Sequence, residues 1–212
     1  MGLIAIVRKF SIQGWLGRLQ VGAKRRITGR RLIGIRVKNV GAFLVPIFLI
    51  LGIPSWFLFP PRATPTDSDA VLVMAGASDG RHELGAMLVT DGFSENFVVS
   101  NSSGTRDKVG SAHCRGDARP ESAKETWCLK ADPVTTTGEA LAIGLLAESE
   151  GWVSVTAITN RPHTRRVRTN LEHCTDLEVQ VVSIEQIDVT RAPVHVAREI
   201  AGYLKFWLND PC

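Results

Sequence analysis

Acidic residues are missing from the first third of this chain. No Asp or Glu precedes Asp67, whereas Arg8, Lys9, Arg18, Lys24, Arg25, Arg26, Arg30, Arg31, Arg36 and Lys38 are all basic. The formal charge of +4 and the pI near 9.1 therefore arise in one segment, and the remainder is net acidic. That asymmetry argues against a nucleic-acid-binding surface, and no nucleic-acid partner is expected. Charge of either sign is missing between Val40 and Pro61, which is long enough to cross a hydrocarbon core needing about 20 apolar residues. No CxxC spacing occurs, so a structural zinc site is disfavoured and no metal is expected. GxGxxG is absent too, which removes the dinucleotide fingerprint, and the sequence names no cofactor. A hydrophobic fraction of 44% against 22% charged excludes disorder along the whole length.

Four segments follow: a basic cytoplasmic segment 1–39, a transmembrane helix 40–60, a tether 61–68 and an extracytoplasmic domain 69–212. Lys and Arg flanking a span stay on the cytoplasmic side, and here they lie N-terminal to it. The expected localisation is the cell membrane, single-pass, with membrane lipid as the partner of residues 40–60. Trp56, Phe57 and Phe59 gather at one end of the apolar run, as aromatic residues do at headgroup level. A buried core helix and a cleaved signal peptide are the competitors. The latter is opposed by the length of the apolar run and by Phe59-Pro60-Pro61 where cleavage needs small residues. Residues 1–38 read equally as an interfacial helix on anionic lipid or as a basic tail.

All four cysteines follow the apolar run, in a compartment that permits disulfides if the domain is exported. Cys114 and Cys128 bracket a polar segment and are expected to staple it. Cys174 and Cys212 are left open between a second bridge and free thiols.

Within the domain, the apolar run Asp69–Gly76 predicts a first buried strand, Arg81–Thr90 a helix and Asn96–Ser100 a second strand. Residues 101–135 read as an insertion or long loop. Helix Thr137–Gly151, strand Val153–Thr159, helix Pro162–His173 and strand Glu178–Ile184 come next. The last helix is expected to bury Val194, Ala197, Ile200, Ala201, Leu204 and Leu208. Alternation of this kind predicts a three-layer, doubly wound, mainly parallel α/β (Rossmann-like) fold, whose ligands bind beyond the C-terminal strand ends.

Three strand exits carry candidate chemistry. The turn from Ala75 holds Gly76 and Arg81; the second exit holds Ser100 and Gly104. The third, Thr159-Asn160-Arg161-Pro162-His163-Thr164-Arg165-Arg166, sets cations at a helix N-terminus, where the macrodipole already favours an anion. Simple turns of small residues are the bland readings of the first two. For the third, the alternative is that Arg166 pairs with a structural acid such as Glu139.

These residues resemble the YdcF-like domain family of unknown function, which includes SanA-type and ElyC-type envelope proteins. The resemblance covers Asp67 to Ile184 and rests on Gly76 with Arg81, Ser100 with Gly104, Thr137-Gly138-Glu139-Ala140, and Thr159 with His163 and Arg166. Ala140 stands where the family pattern has Asn. The resemblance implies a role in cell-wall or lipid-carrier metabolism without naming a reaction. His163 and Glu139 are the candidate catalytic residues, and Gly76, Arg81, Ser100, Thr137, Thr159 and Arg166 the candidate anion-binding set, for a phosphorylated or lipid-linked small ligand. A non-catalytic envelope scaffold or barrier factor is the alternative. An S-adenosylmethionine-binding domain is disfavoured by the expected export.

Overall fold

The computed structural model describes residues 41–212 apart from 43, 77, 103, 187, 188 and 210. The expectations for residues 1–40 lie outside them. The chain divides into two compact units, Met1–Leu44 and Val45–Cys212; in the first, the described residues 41, 42 and 44 are helical.

Five parallel strands form the sheet of the second unit: β1 (Ala70–Val73), β2 (Asn96–Ser100), β3 (Glu125–Leu129), β4 (Ser154–Thr159) and β5 (Glu178–Ser183), in the order β3-β2-β1-β4-β5. β1 is central and all four of its residues are buried, which is why it reads as an unbroken apolar run. The helices are α1 (Ile53–Leu58), α2 (Arg81–Thr90), α3 (Lys108–Arg115), α4 (Thr136–Glu150), α5 (Thr164–Cys174) and α6 (Ala192–Asn209). Alternating side chains build two cores. Leu72, Val98 and Ala157 pack with Ala140 and Ile143 of α4 and with Val167 and Leu171 of α5. On the opposite face Val71, Val73, Phe97 and Ile158 meet Leu88 and Val89 of α2. A methyl group at Gly85 would stand 2.5 Å from Val73, so α2 approaches β1 this closely only through glycine.

Residues 101–135 depart from the expected loop. They contain a 3₁₀ turn (Gly104–Arg106), α3 and the edge strand β3. α3 is capped by Asp107, whose side chain accepts from the Gly110 amide at 2.9 Å. The same carboxylate meets His82 Nε2 at 3.0 Å, with both side chains fully buried. The Cys114–Cys128 disulfide forms as expected but joins a helix to a strand. Cys174 pairs with Cys212, which ties the chain end to the last residue of α5.

α6 reverses its expected orientation. It buries Ala192, Val196, Glu199 and Phe206, while Val194, Ala197, Ile200, Ala201, Leu204 and Leu208 face outward. The apolar run is helical from Val45, widens to a π-helix at Phe48–Gly52 and continues as α1. Pro54 supplies the cause, since it has no N–H for the Ile50 carbonyl and its ring crowds that group. Among the described residues no helix is long and apolar enough to cross a membrane.

Candidate functional site

Strand order reverses between β1 and β4, which makes their C-terminal ends the switch point of the sheet. A cavity of about 1080 Å³ opens there, reaching from the β1 exit across the starts of α4 and α5 to α6. Gly76, Arg81, Thr137, Glu139, His163 and Arg166 line it together. Ser100 and Thr159 are fully buried and are not among its lining residues.

Glu139 sits in the first turn of α4, 5% exposed, and its Oε1 accepts from the Ala75 amide at 2.7 Å. Burial pushes its carboxyl above the ordinary range, against the opposing pull of the Ser100 hydroxyl and the Ala75 amide. Gly138 beside it is obligatory, because an added methyl would lie 2.0 Å from the Pro133 carbonyl oxygen. Arg81, 2% exposed, braces the β1 exit. It donates twice to Asp79, at 2.8 and 2.6 Å, and from Nη1 to the Met74 and Ala75 carbonyls. Burial disfavours the Asp79 carboxylate, but the Arg81 guanidinium more than offsets this and holds it below its ordinary range. Gly76 gives this guanidinium room, since a methyl there would stand 2.4 Å from Nη1.

The second half of the site centres on Glu199 of α6, which the sequence reading passed over. Its carboxylate takes a two-pronged bond from Arg166, Nε to Oε2 at 2.7 Å and Nη2 to Oε1 at 2.9 Å, and faces His163 Nδ1 at 3.1 Å. Glu199, not Glu139, therefore orients His163 and Arg166. Burial works against its charge, yet the bonds from His163 and Arg166 prevail and hold it at about 2. His163 itself is lowered, chiefly by burial, so at pH 7 the ring is neutral. With Nδ1 donating to Glu199, Nε2 is an acceptor facing the Thr136 hydroxyl at 3.4 Å. Thr136 Oγ1 in turn accepts from Arg166 Nη1 at 2.7 Å. Thr137 donates to Asn170 at 2.7 Å and the Asn160 side chain caps the turn at His163.

One sequence signal marked the missed residue. Glu199 and Gly202 lie three apart on α6, and a methyl at Gly202 would stand 2.6 Å from Arg166 Cδ. Glu199 is the one acid among the described residues of α6, and the absent side chain at Gly202 leaves the space in which the arginine makes its two-pronged bond. Beyond the paired groups, Arg198 and Lys205 line the cavity with no ion-pair partner among the described residues. The fold and site define an α/β domain with a switch-point cavity, polar at the strand ends and flanked by cations. No family model, curated protein or solved structure matches the chain.

Proposed function

We propose that this chain is a membrane-anchored, extracytoplasmic YdcF-like protein whose switch-point cavity binds an anionic, phosphorylated ligand in cell-envelope biogenesis. The supporting observation is the charge balance of the cavity. Asp79 and Glu199 are each neutralised by a two-pronged arginine bond, Glu139 is pushed toward its neutral form, and Arg198 and Lys205 have no ion-pair partner among the described residues. Arg166 uses three of its five N–H groups within the protein, which leaves two for an anion. The N-terminus of the 15-residue helix α4 opens on the same space and adds a positive dipole end. Leu141 and Phe206 line the cavity beside these cations and suit a ligand with an apolar tail. Neutral His163, with Nε2 as acceptor, is the group that takes a proton from a bound nucleophile if the site is catalytic.

Titration of the full chain in detergent with inorganic phosphate and with a prenyl phosphate tests the cavity. Binding that is lost in Arg166→Ala and His163→Ala, with circular dichroism unchanged, supports the reading; equal affinity in all three proteins overturns it. Export has its own test: alkaline phosphatase fused after Cys212 is active, and an active cytoplasmic reporter at that position contradicts the topology.

A further inference from the structure

α6 carries two apolar stripes on opposite sides. Val196 and Phe206 point inward, whereas Leu204 and Leu208, exposed by 59% and 81%, belong to an outward stripe with Val194, Ala197 and Ile200; Trp207, 60% exposed, borders the stripe and meets the His173 ring edge-on. An outward stripe of this length is not needed to hold α6 in place. Phe206 packs edge-on to the His173 ring, Tyr203 bonds Thr169, and Glu199 holds Arg166. The same helix also meets the apolar segment. Tyr203 lies 6.0 Å from Trp56 and 5.9 Å from Phe57, so α6 seats directly on the last turn of the apolar segment. Arg165 fastens that junction, stacking 4.1 Å above the Trp56 ring and donating to its carbonyl at 2.9 Å.

Two observations bear on what covers the stripe. Residues 45–51 make about two helical turns in which every residue is exposed, and all are apolar. A second protein copy would cover one side of such a helix, whereas a hydrocarbon environment covers all sides. The charge of α6 fits the same surroundings. Arg198 and Lys205, seven residues apart, border the outward stripe, and the one acid among the described α6 residues, Glu199, is turned inward and 3% exposed. An apolar stripe edged by cations and free of described carboxylates is the pattern of a helix lying in the headgroup region of an anionic leaflet.

We propose that α6 lies on the membrane surface, its outward stripe in the headgroup region of the leaflet from which α1 emerges. This rests on the reading that the apolar segment enters the bilayer. The consequence is that the cavity, one wall of which is α6, stands at headgroup height and faces ligands presented by the leaflet.

Photocrosslinking of the full chain in phosphatidylcholine–phosphatidylglycerol vesicles tests this. Benzoylphenylalanine replaces, one at a time, Leu204, Leu208, Ile50 and Val153, all of them exposed, so the core is not disturbed. Lipid adducts at Leu204, Leu208 and Ile50, with none at Val153 on the N-terminal side of β4, are expected. Adducts at Ile50 but not on α6 overturn the docking and leave the anchor standing. Their absence at Ile50 as well removes the anchoring reading, and protein–protein adducts at Leu208 in place of lipid assign the stripe to a second copy. As an independent readout, doxyl-labelled lipid quenches the wild-type tryptophan emission more than that of Trp207→Phe; equal quenching in the two contradicts the proposal.

Discussion

Replacing Glu199 by Gln removes one charge and little volume from the centre of the site, so its effect is electrostatic. The carboxyl moves from its ordinary 4.5 to about 2 on folding, and with the side chain 4% exposed little solvent screening applies. A shift of this size corresponds to roughly 3 kcal/mol at pH 7. Because the folded value is the lower one, this stability is fully present above pH 4.5. It is lost as pH falls toward 2, where the native carboxyl is itself protonated. Glu199→Gln should therefore destabilise the protein by about 3 kcal/mol at pH 7 and by roughly half as much at pH 3, the gap closing further below that. Guanidinium unfolding of both proteins in detergent, disulfides intact, at pH 7, 5, 4 and 3 gives the two curves. A gap that stays constant with pH, or is smaller than about 1 kcal/mol at pH 7, refutes the assignment of Glu199 as the buried counter-ion of Arg166 and hydrogen-bond partner of His163.

Gly138→Ala drives a methyl against the Pro133 carbonyl and should cost about 2–3 kcal/mol, seen as a lower unfolding midpoint at unchanged slope. Replacing Cys114 and Cys128 by Ser opens a loop of 14 residues and should cost about 3 kcal/mol; no difference between oxidised and reduced wild type would contradict the bridge. For Arg165→Ala, phosphate binding should be unchanged while amide exchange quickens at Ile53–Leu58, because about 1–2 kcal/mol of stacking and hydrogen bonding seats that turn. His163 should titrate below its ordinary 6.5, with Nδ1 protonated in ¹⁵N spectra. The stability it confers is present above pH 6.5 and declines as pH falls.

The inner strands β1, β2 and β4 stand out in the sequence because a parallel strand between two neighbours is apolar on both faces. β5 is an edge strand, exposed or half-buried at Glu178, Val179, Gln180 and Ser183, and stands out through its three valines. β3, the opposite edge, escapes notice because Glu125, Thr126, Trp127, Cys128 and Leu129 are all exposed or half-buried, and such a mixture resembles loop. α3 is eight residues long, about two turns, too short for periodicity to speak. Its neighbourhood is held by the disulfide and by the His82–Asp107 pair, long-range contacts that composition does not encode. On α6 the periodicity is genuine but two-sided, and the longer apolar stripe is the outward one. Choosing it as the core face placed Glu199 on the solvent side and hid the partner of Arg166. The strand-end rule located Gly76, Arg81, His163 and Arg166 in one cavity, because parallel order puts every strand exit on the same edge, whereas Glu139 was a candidate through the family resemblance. It did not show that Arg81 is occupied by Asp79, a pairing of residues two apart set by the turn.

The proposed function requires the switch-point cavity to receive an anion beside Arg166 and His163. A crystal structure of the protein soaked in tungstate, a heavy phosphate mimic, tests it directly through anomalous scattering. A tungsten peak is expected with an oxygen within hydrogen-bond distance of the Arg166 guanidinium, lost in Arg166→Ala crystals. Tungsten found only at lattice contacts or on exposed lysines, with the cavity holding none, would contradict it.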